Sequence, residues 1–132
     1  MLMVSKHPCA GLSVLVVEDE SLVLFNLEDT LTEMGCIIVG PAMRLAQALE
    51  IAKAAESVDV AVLDVNLGGQ PVFPVAEALQ ARGVPIVFAT GYGREGLPEE
   101  WRTHPVLIKP YTSSDVEEAL AAIAEARASV SR

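Results

Sequence analysis

The sequence is poor in positive charge. It carries nine Lys and Arg against eighteen Asp and Glu, a formal net charge of −9 over 132 residues. Nucleic-acid binders usually present a basic face, so DNA and RNA are poor candidates for partners. Cysteine is scarce as well: Cys9 and Cys36 match no metal or redox spacing, and Cys36, which opens an apolar run, reads as a small buried hydrophobe. The only histidines, His7 and His104, are isolated in the sequence, which leaves no histidine cluster for a metal. No uncharged apolar run approaches the ~20 residues of a membrane span. The start, Met1 to Lys6, lacks the pattern of a secretory signal, so a cytoplasmic location is the default expectation.

What the sequence has is apolar content, 52 % of residues. That excludes a disordered chain and suggests strands buried on both faces. The length suits one domain, and roughly two-thirds of the unfolded surface can be buried at this size, so no metal or disulfide staple is needed. Apolar runs alternate with helical patterns. Strands are expected at about Ser13–Val17, Cys36–Val39 (ended by Gly40-Pro41), Val58–Leu63, Val84–Ala89 and Val106–Ile108. Helices are expected at about Ser21–Met34, with Leu22, Phe25, Leu27, Leu31 and Met34 as its apolar positions, then Arg44–Ala55 and Val72–Ala81. A short one follows near Glu99–Arg102, and the last starts after Ser113-Ser114-Asp115 and runs to about Ala128. Such alternation implies a parallel, doubly wound α/β sheet covered on both faces. With no repeat and no linker, any effector is expected to be a separate molecule.

Chemistry-bearing residues sit at the C-terminal ends of these strands: Glu18-Asp19-Glu20, Asp64, Thr90 and Lys109. In open parallel sheets that rim is where ligands bind. Each residue has a plain structural explanation, as a helix cap or a turn former. Their coincidence on one rim weakens it, because clustered carboxylates are costly without a compensating cation. A hard divalent ion such as Mg²⁺ suits carboxylates and a backbone carbonyl. Lys109 can bind a phosphoryl oxygen as a point charge, and Thr90 can donate a hydrogen bond to another. Phosphoryl transfer needs little beyond a metal, positive donors and an in-line nucleophile. Asp64 would be that nucleophile, forming an acyl phosphate.

The stretches Val16-Val17-Glu18-Asp19-Glu20, Leu63-Asp64-Val65-Asn66, Ala89-Thr90-Gly91 and Ile108-Lys109-Pro110 resemble, in this order, the response-regulator receiver domain of two-component signalling. The resemblance covers about residues 11–128, leaving 1–10 and 129–132 as expected tails. It implies a flavodoxin-like (βα)5 domain with strand order 2-1-3-4-5. It implies that Asp64 accepts phosphate from a phosphohistidine on a sensor histidine kinase or histidine phosphotransfer protein. Asp19, Asp64 and the backbone carbonyl of Asn66 would bind Mg²⁺ or Mn²⁺, with Glu18 assisting through water. Thr90 and Lys109 would hold the phosphoryl group, and the Lys109–Pro110 peptide would be cis. The domain would be a phosphoacceptor that assists its own phosphorylation and dephosphorylation, not a turnover enzyme. It would be a monomer or weak homodimer that signals to a downstream protein target or relays phosphate. The kinase would contact Leu22–Leu24 and the Pro110–Ser113 loop. Glu95, Glu99, Glu100, Glu117 and Glu118 would make the usual output face acidic.

Two positions depart from the family pattern. Val106 stands where most receivers carry a Tyr or Phe, so the usual switch ring is missing. Phe88-Ala89-Thr90-Gly91-Tyr92 instead resembles a group of receivers, frequent as stand-alone proteins in alphaproteobacteria, with an aromatic after the Thr-Gly. Thr90, Gly91 and Tyr92 are therefore the candidate switch, with Gly91 and Gly93 letting the loop rearrange, and the lone Trp101 a nearby fluorescent reporter. The second departure is Leu67-Gly68, in place of the common Met-Pro. The alternative reading is an interaction module of receiver fold whose switching ignores phosphate; a small metabolite phosphatase is third. Gly91-Tyr92-Gly93-Arg94-Glu95-Gly96 spells G-x-G-x-x-G, but Leu97-Pro98 interrupts the helix a dinucleotide site requires and the next strand ends in Lys109.

Overall fold

The computed structural model describes residues 7–130. Five parallel strands form one sheet: β1 Ser13–Val17, β2 Ile37–Ala42, β3 Val60–Asp64, β4 Ile86–Thr90 and β5 Val106–Ile108, in the order β2-β1-β3-β4-β5. The helices are α1 Ser21–Glu33, α2 Leu45–Ala54, α3 Phe73–Ala81 and α4 Ser113–Val130. Every residue of β1, β3 and β4 is buried, as strands covered on both faces must be. Successive side chains alternate between two cores. Leu15 and Val17 pack with Ala48 and Ala52 of α2 and Val75 and Leu79 of α3. Val14 and Val16 pack with Leu24, Leu27 and Leu31 of α1 and Val116 and Leu120 of α4. The doubly wound expectation and the strand order hold.

Several boundaries differ from the sequence reading. Strand β2 does not stop at Gly40-Pro41 but runs on to Ala42, because its register with β1 shifts between Leu15 and Val17 and Gly40, at φ +91°, absorbs the irregularity. At a sheet edge a proline inside a strand is tolerated, since its missing N–H faces no partner. The short helix expected near Glu99–Arg102 is absent. Two 3₁₀ turns, Arg94–Gly96 and Glu99–Trp101, take its place, and the described residues form four α-helices where five were expected. Helix α4 starts earlier than expected, with Ser113-Ser114-Asp115 inside its first turn. The Thr112 amide donates to Asp115 Oδ2 (2.9 Å) and the Asp115 amide to Thr112 Oγ1 (3.1 Å), a reciprocal cap.

Helix α1 corrects two core assignments: Leu22 is 73 % and Phe25 62 % exposed, and the buried stripe is Leu24, Leu27, Thr30 and Leu31. Cys9 is fully buried, packing with Leu31, Met34 and Val116, while Cys36 is only half-buried. The Cys36 thiol donates to the Cys9 carbonyl at 3.4 Å. Burial raises both thiols, Cys36 to about 11, so neither is poised as a nucleophile. At the other end α4 continues to Val130. Met1 to Lys6 and Ser131 and Arg132 lie outside the described residues. Among the described residues no helix is long and apolar enough to cross a membrane.

Candidate functional site

Parallel pairing brings the ends of β1, β3, β4 and β5 to one rim. Asp64 is the last residue of β3 and Thr90 the last of β4, Lys109 directly follows β5, and Asp19 stands two residues past the end of β1. Asp19, Asp64, Asn66, Thr90, Gly91, Tyr92 and Lys109 line a single cavity of about 720 Å³. Most of the residues singled out in the sequence are therefore neighbours in space. Glu18 is the exception: it lies beneath the rim, 1 % exposed and not among the lining residues.

Lys109 organises the charge. Its Nζ lies 3.1 Å from Glu18 Oε1, 3.2 Å from Asp64 Oδ2 and 3.5 Å from Glu20 Oε1. Burial disfavours its cation, but Glu18 and Asp64 overcome this and push the ammonium above its usual range. One lysine against four carboxylates leaves the cluster over-supplied with negative charge. Asp64 registers the excess: its own burial and the neighbouring Glu18 and Asp19 raise its carboxyl to about 7, with Lys109 opposing. Asp19 is held below the usual range. Burial pulls the other way, but a contact with Asp64 and a 2.9 Å hydrogen bond from the Gly68 amide outweigh it.

The loop after β3 is shaped for this. Asn66–Leu67 pairs with Gln70–Pro71 as a two-residue hairpin. The Asn66 amide donates to Asp64 Oδ1 at 3.3 Å, and Asn66 Oδ1 accepts from the Gly69 amide at 2.7 Å. Gly68 and Gly69 both have positive φ, a conformation that side chains disfavour. Leu67-Gly68 thus gives a tight turn that hands an amide to Asp19. Across the cavity the Thr90 hydroxyl accepts the Tyr92 amide at 3.1 Å, and the Lys109 amide donates to the Thr90 carbonyl at 2.8 Å. The Tyr92 side chain is 87 % exposed. The Lys109–Pro110 peptide is cis, as the resemblance implies.

Phe73 and Gly96 line the cavity but were not read from the sequence as site members, whereas Glu20, part of the acidic run, was. Glu20 reaches the cavity and Lys109. Phe73 opens α3 and borders the cavity while its ring packs on Phe88 and Trp101. Gly96 leaves no room for a side chain, since a Cβ there would come 2.8 Å from Tyr92 Cβ. Of Phe73 and Gly96, only Gly96 had a signal, as the last glycine of the Gly91–Gly96 pattern. The donors suit a hard divalent cation. Oxygens of Glu18, Asp19 and Glu20 lie within 4.8 Å of one another, and the raised Asp64 marks charge that the described side chains leave uncompensated.

Comparison with known proteins agrees with this geometry. The family model for the response regulator receiver domain matches residues 14–121. The solution structure of SdrG from Sphingomonas melonis Fr1 is 44 % identical, with a TM-score of 0.76 over 86 % of this chain and 96 % of that one. The BeF3-activated conformation of SdrG from Pseudomonas melonis Fr1 is 43 % identical, with a TM-score of 0.73 over 87 % and 98 %. The transcriptional regulatory protein PdtaR of Mycobacterium tuberculosis is 31 % identical over 107 residues, 78 % of this chain and 52 % of that protein. The chain spans about half the length of that relative.

Proposed function

The chain belongs to the response-regulator receiver family, and on that premise we propose that it is a phosphorylation switch whose acceptor is the Asp64 carboxylate. The observation that carries this reading is the meeting of Asp64, Thr90 and Lys109 on one cavity, with Lys109 Nζ 3.2 Å from Asp64 Oδ2. The donor is a phosphohistidine of a sensor histidine kinase or histidine phosphotransfer protein. A carboxylate oxygen of Asp64 attacks phosphorus in line, the P–N bond breaks, and its electron pair stays on the imidazole nitrogen, which takes a proton if it needs one. Lys109 and the Thr90 hydroxyl offer positive donors to the phosphoryl oxygens. Asp19, Asp64 and the Asn66 carbonyl would hold Mg²⁺ or Mn²⁺, which neutralises charge on the carboxylates and the phosphoryl oxygens when bound. Glu18 acts from below through its contact with Lys109.

The switch follows from a hydrogen bond. Thr90 Oγ1 accepts the Tyr92 amide, so a hydroxyl drawn toward a phosphoryl oxygen pulls on that amide. Tyr92, largely free of side-chain packing, is the element displaced, in the role that Val106 cannot fill. Leu22 and Phe25 are exposed on α1, and Val23 and Asn26 of that helix line a groove with Pro110 and Tyr111; this end of α1 suits kinase docking, whereas Leu24 is buried in the core and drops out of that surface. Exposed Glu95, Glu99, Glu100, Glu117 and Glu118 suit a protein target and disfavour DNA. The setting is the cytoplasm, where such kinases present phosphohistidine.

The test is direct. With Mg²⁺ and phosphoramidate or a phosphorylated histidine kinase, intact-mass analysis should show one added phosphoryl group that base removes and that Asp64→Asn abolishes. Absence of an adduct with every donor overturns the reading.

A further inference from the structure

The cavity over Asp64 is larger than a phosphoryl group requires. Its volume, about 720 Å³, falls among pockets that hold whole small molecules. Its lining divides chemically. Asp19, Glu20, Asp64 and Lys109 supply charge, while Pro71, Phe73 and Tyr92 supply apolar surface beside the side-chain-free Gly91 and Gly96. Phe73 is the fixed part of that apolar portion. Its ring stacks on Trp101 (centroids 6.0 Å apart, planes at 20°) and leans on Phe88 at 5.9 Å. Both supporting rings are buried, at 3 % and 0 % exposure.

We infer that the apolar portion of this cavity, anchored by Phe73, receives the leaving group of the phosphodonor and selects a flat heteroaromatic one. This rests on the reading of Asp64 as acceptor and adds a specificity-determining residue to it. When the P–N bond of a phosphorylated imidazole protonated on its other nitrogen breaks and the P–O bond to Asp64 forms, the departing ring keeps the electron pair on nitrogen and leaves as neutral imidazole. The protonated donor ring and the neutral imidazole it becomes both suit an aromatic wall, and ring faces favour the cationic donor ring. An acyl phosphate expels a carboxylate, which the negative face of an aromatic ring does not favour.

The experiment compares initial rates of Asp64 phosphorylation by phosphorylimidazole, phosphoramidate and acetyl phosphate in the presence of Mg²⁺. Ammonia, the leaving group of phosphoramidate, has no ring to contact. Phe73→Leu should lower the phosphorylimidazole rate about two- to tenfold more than the phosphoramidate rate, the span expected for one lost aromatic contact. Phe73→Met, whose unbranched chain adapts to irregular gaps, should do the same and serves if the leucine variant does not fold, as judged by far-UV circular dichroism. A folded variant with an unchanged ratio of the two rates overturns the inference while leaving Asp64 as acceptor. Failure of all three donors on the unmodified protein strikes the acceptor reading itself.

Discussion

Two sides of the same rim are held by opposite kinds of force. At the ends of β1 and β3, three carboxylates share one lysine with a fourth, Asp19, beside them, and the arrangement is electrostatically unfavourable until something neutralises it. Past the end of β4, the segment 91–105 lacks a helix and is fastened by neutral contacts and two guanidinium groups. Trp101 and Leu97 plug the core. Arg94 donates to the carbonyls of Arg102 and His104, and Arg102 to those of Leu97 and Glu95. The first side stores repulsion that binding can release; the second is a set of small fastenings that can be exchanged. Such a division suits a switch, in which one end gains energy on modification and the other has little to lose by moving.

The largest effect should come from the fastened side. Trp101→Ala removes a ring packed on Phe73, Phe88 and His104 and should cost about 3–5 kcal/mol in urea unfolding. A loss under about 1 kcal/mol would mean that the segment is not held by its core plug, and the contrast would collapse.

The charged side should answer with the opposite sign. Folded Asp64 keeps its proton up to about 7, whereas an ordinary aspartate releases it near 3.8. Between those values the folded state binds more protons than the unfolded state, so metal-free stability should fall as pH rises through that window. Asp64→Asn should therefore stabilise the metal-free protein at pH 8 by ~1–3 kcal/mol, less than the full shift implies because the contact with Lys109 is also lost. Mg²⁺ should flatten the pH dependence of the unmodified chain. A pH-independent stability without metal would show that the acids are already neutralised. The smallest stability effect belongs to Tyr92→Ala, within about 0.5 kcal/mol as for any exposed side chain. Yet the change in Trp101 emission on phosphorylation should disappear. An unaltered signal would place the moving element elsewhere.

Legibility in the sequence followed the same division. β1 and β5 stand where their apolar runs predict, because a strand buried on both faces is an unbroken hydrophobic word. The acids, Thr90 and Lys109 were visible because each ends such a word. Helix α1 was harder. Leu22, Val23, Leu24, Phe25 and Leu27 are apolar around more than one face, so spacing could not tell Leu24, which is buried, from Phe25, which is exposed. In segment 91–105 the fastenings run from side chain to backbone over eight or ten residues (Arg94 to Arg102 and His104), a range that helical periodicity does not encode. Phe73 was missed because an apolar residue opening a helix looks the same whether it faces core or cavity.

Cys9 has a practical consequence. It lies outside the first strand yet is wholly enclosed among Leu31, Met34 and Val116, and the Gly11 amide behind it is tied to the Gly35 carbonyl. A laboratory truncation starting at Gly11 would leave a hole between α1 and α4. A fluorescent protein or affinity handle joined closer than His7 would pull directly on a buried plug. Fusions intended to leave the domain undisturbed belong beyond α4, or upstream with a spacer that leaves Cys9 seated.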